Sequence, residues 1–305
     1  MTTRRRPTGY LWIAVGTGLL LAVALLVLHY QHERTPDQQL AFQARPIVDR
    51  MSLALVSASE AEKSAVMAIA DEESEAFANQ AREATVRVEQ GRGELAGLFE
   101  RGGTGHEKQL LEQFSKAFAE FQRIDNHLLS LAVRNTNIKA SRLAFGPAAA
   151  ALDEMDAALS RIVMQNSLSP DRRVVRLADD ARIAAFRIQT LLPPHIAEEN
   201  PQRMDRMEYL MAQEDRRVQE SLDELVAMEK LTDDPNLTIA RSSYARFSET
   251  KAQILKLSRE NTNVRSLTIS LNQKRKIMVL CLDALTNLRN AIEQEETHPA
   301  PASPQ

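Results

Sequence analysis

The chain has 305 residues and a formal net charge of −3, so its length allows about two domains and its charge gives no electrostatic basis for nucleic-acid binding. Aromatic residues make up only 5% of the chain, and no glycine follows Gly146. The second half is rich in Ala, Leu, Arg, Glu and Met, which are strong helix formers, and an extensive sheet is not expected. The predicted fold class is therefore all-α.

An uncharged, mainly apolar stretch spans residues 10–30, which is long enough to cross a bilayer as a helix. It follows a basic segment, residues 1–9, and the positive-inside rule then places the N-terminus in the cytoplasm. We expect a single-pass protein of a bacterial inner membrane with its bulk in the periplasm. A cleaved signal peptide is the alternative, but the apolar run is longer than usual and no small-residue cleavage site follows Tyr30.

Proline and glycine divide the rest of the chain, after a juxtamembrane segment at residues 31–45, into helical segments. The predicted helices are 46–69, 72–99, 107–143, 147–168, 171–192, 196–230, 236–270 and 273–294. Because neither proline nor glycine occurs between Asn236 and Ile292, one long helix over 236–294 is an alternative. Residues 296–305 are predicted to be a disordered tail.

One phrase occurs twice. Residues 134–139 read Arg-Asn-Thr-Asn-Ile-Lys, and residues 260–265, which begin 126 positions later, read Glu-Asn-Thr-Asn-Val-Arg. Upstream apolar positions repeat at the same offset. Since internal repetition defines the architectural unit, we predict two tandem four-helix bundles, at residues 46–168 and 169–295, behind the transmembrane helix.

The repeated phrase lies on apolar positions spaced alternately by three and four, as in a coiled-coil seam. The seam positions are Phe121, Ile124, Leu128, Leu131, Asn135, Ile138, Arg142 and Phe145, and in the second copy Phe247, Thr250, Ile254, Leu257, Asn261, Val264, Thr268 and Leu271. This pattern places Asn135 and Asn261 on the seam, with Asn137 and Asn263 off it.

A buried seam asparagine fixes helix register at a cost in stability, so on this interpretation Asn261→Leu raises the thermal stability and alters assembly. The alternative is a polar layer between helices that binds a ligand. Its candidate residues are Asn135, Asn137, Arg142, Asn261, Asn263 and Arg265.

Other residues that could bind a metal or take part in catalysis have simpler explanations. Met204, Met207, Met211 and Met228 resemble a Cu(I) site, but their helical spacing also fits a core stripe. The single cysteine, Cys281, has apolar neighbours and is predicted to be buried. The six histidines lack metal-ligand spacing, and no catalytic motif occurs, so neither a cofactor nor an enzymatic activity is expected.

The run Leu257-Ser-Arg-Glu-Asn-Thr-Asn-Val-Arg265, followed by an Ala/Leu-rich helix, resembles the later half of the four-helix-bundle sensor domain of methyl-accepting chemotaxis receptors. The membrane helix that leads into the bundle agrees with this resemblance, which would cover residues 36–295 as two copies. It implies sensor-like ligand binding. A second membrane span, a signal-relay helix pair and a cytoplasmic signalling rod are not recognisable, so the resemblance does not extend to transmembrane signalling.

The leading functional hypothesis is a membrane-anchored periplasmic helical-bundle protein that acts as a sensor-like ligand-binding or protein-interaction module. Its expected partners are the membrane, a second copy of the chain or a membrane protein, and a small-molecule ligand, without nucleic acid. The alternative is a structural spacer or scaffold of an envelope complex that has no small-molecule ligand. A copper or haem binder is a third hypothesis.

Overall fold

The computed structural model describes residues 36–166 and 172–297, in which helices dominate and no strand occurs. The ten α-helices of this part are α1 (Pro36–Met67), α2 (Asp71–Gly102), α3 (Gly105–Ala132), α4 (Thr136–Leu143), α5 (Ala149–Asn166), α6 (Arg172–Ala197), α7 (Pro201–Val226), α8 (Pro235–Glu260), α9 (Thr262–Ile269) and α10 (Arg275–Thr297). The all-α class is therefore confirmed.

Two predictions concern residues outside this part of the chain: the transmembrane helix at 10–30 and most of the disordered tail. Within residues 36–166 and 172–297, no helix combines the length and the apolar character needed to cross a membrane.

Several predicted helix boundaries were wrong. Helix α1 begins ten residues before the predicted start and contains Pro46, whereas α6 continues through Pro193 and Pro194 to Ala197. The predicted helices 107–143 and 236–270 are each interrupted, and the single long helix over 236–294 is not formed. The start of α8 was predicted to within one residue. Asp234 caps the backbone N–H of Asn236, and Pro235 occupies the first helical position.

Two π-helical turns, Ala144–Ala148 and Ser270–Lys274, occupy equivalent positions of the repeat. The sequence predicted a break at Gly146 and, by equivalence, near Asn272, but the chain remains helical through both. Proline lacks an N–H and its ring crowds the preceding turn. The wider hydrogen-bond ring of a π turn accommodates Pro147 without ending the helix.

The described chain forms two compact units, each made of discontinuous segments. Unit 1 contains residues 36–58, 83–121 and 277–297, which belong to α1, α2, α3 and α10. Its core includes a stack of aromatic rings in which the centroids of Phe114 and Phe118 are 5.4 Å apart. Gly91 allows close helix packing here, because a Cβ at this position would lie 2.5 Å from the side chain of Met51.

Cys281 lies in unit 1 and is completely buried, as the sequence predicted. Burial raises the pKa of its thiol to about 12. The thiol therefore behaves as a small apolar side chain in the folded unit.

Unit 2 contains residues 59–82, 122–166 and 172–276. Helices α5, α6, α7 and α8 share one apolar core, in which α5 packs against α6 and α8, and α6 packs against α7. Met204 and Met211 are buried, which confirms the core interpretation of the methionine stripe for these two residues. Because α5 precedes residue 168, packing within unit 2 crosses the predicted domain boundary between residues 168 and 169.

Candidate functional site

Both copies of the repeated phrase interrupt a helix. Asn135 has φ 50° and ψ 38°, and Asn261 has φ 52° and ψ 39°, so both adopt the left-handed conformation. No other non-glycine residue of the described chain has a positive φ. Asparagine adopts this conformation at less cost than most residues. Helices α3 and α8 end just before these asparagines, and α4 and α9 begin just after them.

The first N–H groups of α4 and α9 are capped reciprocally, each by side chains of the other helix. Thr136 N donates to Thr262 Oγ1 at 3.2 Å, Thr262 N donates to Thr136 Oγ1 at 3.1 Å, and the two hydroxyl oxygens are 3.1 Å apart. Asn137 N and Asn263 N each donate to the other's side-chain Oδ1 at 3.1 Å. A helix start normally takes its cap from its own N-cap residue, but Asn135 and Asn261 do not supply one.

The side-chain amides of the four asparagines complete the network. Asn137 Nδ2 donates to Asn261 Oδ1 at 2.7 Å and to Ile196 O at 2.6 Å. Asn263 Nδ2 donates to Asn135 Oδ1 at 2.9 Å. We call Asn135–Asn137 together with Asn261–Asn263 the Asn-Thr-Asn junction.

The outer contacts of the junction differ between the two copies. Asn261 Nδ2 donates to the backbone carbonyl of Glu198 at 2.8 Å, whereas Asn135 Nδ2 donates to the carboxylate of Asp71 at 3.1 Å. Hydrogen bonds from Lys139 and then from Asn135 lower the pKa of Asp71. Its negative charge lies near the start of α4, where a helix dipole favours an anion.

The structure unites four of the six predicted site residues. Asn135, Asn137, Asn261 and Asn263 all belong to the junction. Arg142 is exposed and donates to the backbone oxygen of Ile69 at 2.7 Å, and Arg265 is also exposed.

The seam prediction was wrong for positions that follow Asn135 and Asn261 in the chain. Asn137 was placed off the seam but is only 7% exposed, whereas Phe145 and Leu271 were placed on it and are 70% and 59% exposed. The left-handed residue and the following π turn each change the helical phase, so the spacing of three and four no longer predicts the buried face.

Sequence reasoning missed the two threonines, which are buried at the centre of the junction. Their repetition inside the Asn-Thr-Asn phrase was the available signal. Arg134 and Glu260, which occupy equivalent positions of the two copies, form an ion pair with each other. This pairing of opposite charges across the repeat was a second signal.

A buried histidine lies next to the junction, at the end of α6. His195 Nδ1 is 2.8 Å from Ser258 Oγ, and its Nε2 is 2.8 Å from Glu208 Oε1. Burial lowers the pKa of His195, and the bond to Glu208 opposes this effect. The arrangement resembles a nucleophile–base pair, but Ser258 is completely buried and cannot reach a substrate, so we assign it to packing of α6 against α8.

A groove of about 670 Å³ lies between α7 and α8. Its lining residues are Gln219, Leu222, Asp223, Arg241, Tyr244, Ala245, Ser248, Glu249 and Ala252. We call it the α7–α8 groove. At one side Tyr244 donates from its hydroxyl to Asp215, which also accepts from Lys251 Nζ at 2.8 Å. Burial and then the bond to Asp215 raise the pKa of Tyr244, so its hydroxyl remains a donor.

Three charged side chains line this groove without a protein counter-ion. Within the described chain, Asp223, Arg241 and Glu249 form no ion pair, and all three are exposed. Another charged pair of α7 is engaged, with Arg217 3.1 Å from Glu214. The groove therefore offers one cationic and two anionic groups beside an apolar floor.

Comparison of the sequence with protein families and with curated proteins finds no match. Function must therefore be argued from the site itself.

Proposed function

We propose that the chain is a single-pass, membrane-anchored helical protein that binds a small ligand in the α7–α8 groove, outside the cytoplasm. The predicted helix at residues 10–30 would supply the anchor, and a second copy of the chain or a membrane protein would receive the signal. The proposal extends the resemblance to chemoreceptor sensor domains. It rests chiefly on one observation, the three unpaired charges in the groove.

The charges favour a small zwitterion as the ligand. Arg241 can bind a carboxylate through its planar fork of donors, and Asp223 or Glu249 can bind an ammonium group. Leu222 and Tyr244 also line the groove and contribute apolar atoms to its wall. The volume of the groove lies within the range that small-molecule sites occupy, about 300–1,000 Å³.

The full chain, purified in detergent, would be screened by thermal shift against amino acids, dicarboxylic acids, diamines and divalent metal ions. A ligand at one hundred times its Kd stabilises a folded protein by about 2.7 kcal/mol, which is readily measured. We expect a saturable shift with a zwitterion, confirmed by calorimetric titration.

Two groove variants and one control make this test specific. Arg241→Gln and Asp223→Asn should each abolish the shift while leaving the unliganded melting temperature nearly unchanged, because both residues are exposed and unpaired. Arg216→Gln, on an exposed part of α7 outside the groove, should keep the full shift. A shift that persists in both groove variants would contradict binding at this site.

A rigid scaffold without a ligand is the second candidate function, and the junction favours it. Each asparagine of the junction already donates to and accepts from protein groups, so a ligand there would have to displace existing hydrogen bonds. A flat ligand screen, together with a protein partner that co-purifies in a fixed ratio, would support the scaffold.

A further inference from the structure

Three ionisable side chains meet in the interior of unit 2, away from both the junction and the groove. Lys274 Nζ contacts Asp125 Oδ1 and lies 3.5 Å from Glu62 Oε2. The exposed fractions are 1% for Lys274, 1% for Asp125 and 0% for Glu62. We call these residues the buried ionic cluster.

The cluster holds one more acid than base. If all three groups were ionised, Lys274 would neutralise Asp125, and one negative charge would remain where water has no access. An unpaired buried charge is so costly that such groups usually become neutral. Glu62 is the excess acid, because Lys274 Nζ contacts Asp125 and lies farther from Glu62, and Ser270, the other polar side chain near Glu62, carries no charge.

Among the described residues, no charged group other than Lys274 forms an ion pair with Glu62. Buried apolar side chains lie on the same three helices, namely Ala65 and Val66 of α1, Ala78 and Ala81 of α2, and Leu128 and Leu129 of α3. Arg275 and Lys276, which follow Lys274 in the chain, are exposed. Asp125 is the only titratable side chain that α3 contributes, and α2 contributes none among its buried residues in this region. On α1, the nearby Glu60 and Lys63 are exposed.

The cluster is not needed to build the π turn that carries Lys274. The equivalent turn of the first copy, Ala144–Ala148, ends in a buried alanine. The repeat also places Ile188 opposite Glu62 and Lys251 opposite Asp125. The same π turn thus forms without these three charges, and the cluster combines two acids of the first copy with a lysine of the second.

We propose that Glu62 is protonated in the folded protein at neutral pH, so that Glu62, Asp125 and Lys274 form a proton-binding site that couples packing of the Ser270–Lys274 turn to proton uptake. Loss of the proton leaves an uncompensated buried carboxylate. It is relieved when the turn separates from α1 and α3 and water enters.

The sign of the pH effect follows from linkage. Burial raises the pKa of Glu62 above its ordinary value of 4.5, and the charge of Lys274 opposes this only in part. The folded form therefore binds a proton that the open form releases. The stability of the packed turn is greatest at low pH, and it is lost progressively as the pH rises above 4.5 through the higher pKa of the folded state.

Hydrogen exchange of the full chain, corrected for intrinsic rates, tests this coupling. In the pH range where Glu62 is ionised in the open form but protonated in the folded form, protection of amides in the Ser270–Lys274 turn should fall by up to about tenfold per pH unit. Glu62→Gln, which mimics the protonated acid, should keep the turn protected and remove this pH dependence. The matched control is Glu60→Gln, two positions away on the same helix, which should retain the wild-type profile.

Infrared spectroscopy gives an independent measurement. At neutral pH the wild-type chain should show a protonated carboxyl band that is absent from Glu62→Gln and present in Glu60→Gln. The absence of that band from the wild type, or equal pH profiles for the wild type and Glu62→Gln, would overturn the proposal. A Glu62→Gln chain that fails to fold would also contradict it, since a neutral side chain must be tolerated there.

Discussion

In the first copy of the repeat, Ile69, Ala132 and Ala148 occupy the positions that His195, Ser258 and Lys274 occupy in the second. The left-handed asparagine and the π turn nevertheless recur in both copies at the same offset. The backbone geometry has therefore been retained in both copies since the duplication, whereas buried side chains have diverged. The recurring devices belong to the architecture, whereas the residues that differ carry the chemistry specific to one copy.

The junction also shows a difference between the two copies that stabilises their contact. Equivalent positions in a duplicated chain begin with the same charge, which would repel when the copies meet. Arg134 and Glu260 instead carry opposite charges and form an ion pair. The two copies are thus complementary at the edge of the junction and nearly identical at its centre.

The largest effect should come from Asn261→Leu. Leucine is strained at a positive φ, and its side chain leaves Asn137 Nδ2 and the carbonyl of Glu198 without their partner. We expect a loss of about 4 kcal/mol in urea unfolding, the reverse of the stabilisation expected from a seam asparagine. Asn135→Leu should lose a similar amount. Asn261→Gly removes the same hydrogen bonds without backbone strain, so it should lose clearly less unfolding free energy than Asn261→Leu. Equal losses for the two variants would show that backbone strain makes no contribution.

Removing the ammonium group of Lys274, which is replaced by Ala148 in the first copy, should have the next largest effect. Lys274→Met leaves Asp125 as an unpaired buried carboxylate and should cost about 3 kcal/mol at neutral pH. Adding Asp125→Asn and Glu62→Gln to the same chain should restore most of this loss. If the triple variant is no more stable than Lys274→Met, the penalty comes from packing rather than from charge.

The reciprocal caps should produce a smaller and strongly coupled effect. Thr136→Val and Thr262→Val preserve shape but remove a hydroxyl that accepts the other helix's N–H, so each should cost about 1.5 kcal/mol. Because both hydroxyls belong to one network, the double variant should lose less than the sum of the two losses. Additive losses would indicate that the two caps act independently.

The smallest effect should be a pH dependence contributed by His195. Its folded pKa is lowered from 6.5, so the stability it confers is present above pH 6.5 and is lost as the pH falls from 6.5 through the lower pKa of the folded state. The loss should not exceed about 1.4 kcal/mol per pH unit. His195→Gln should flatten the unfolding profile in this range. The effect is opposite in sign to that of Glu62, which allows the two groups to be distinguished.

Sequence patterns predicted the helical class, the repeat and four junction residues, because these depend on composition and on identity between positions. They could not predict that Asn135 and Asn261 end helices, since asparagine fits both a seam and a left-handed residue. They also missed the π turns, which require knowledge of hydrogen bonding rather than spacing. Packing of α5 with α6 and α8 depends on tertiary contacts that no local pattern encodes.

The reactivity of Cys281 reports the opening of unit 1. A thiol with a pKa of about 12 and no exposed surface cannot react with an alkylating reagent until unit 1 opens. Every variant discussed above lies in unit 2. The modification rate of this one native cysteine, read by mass spectrometry without any introduced label, therefore reports whether damage to unit 2 is felt in unit 1.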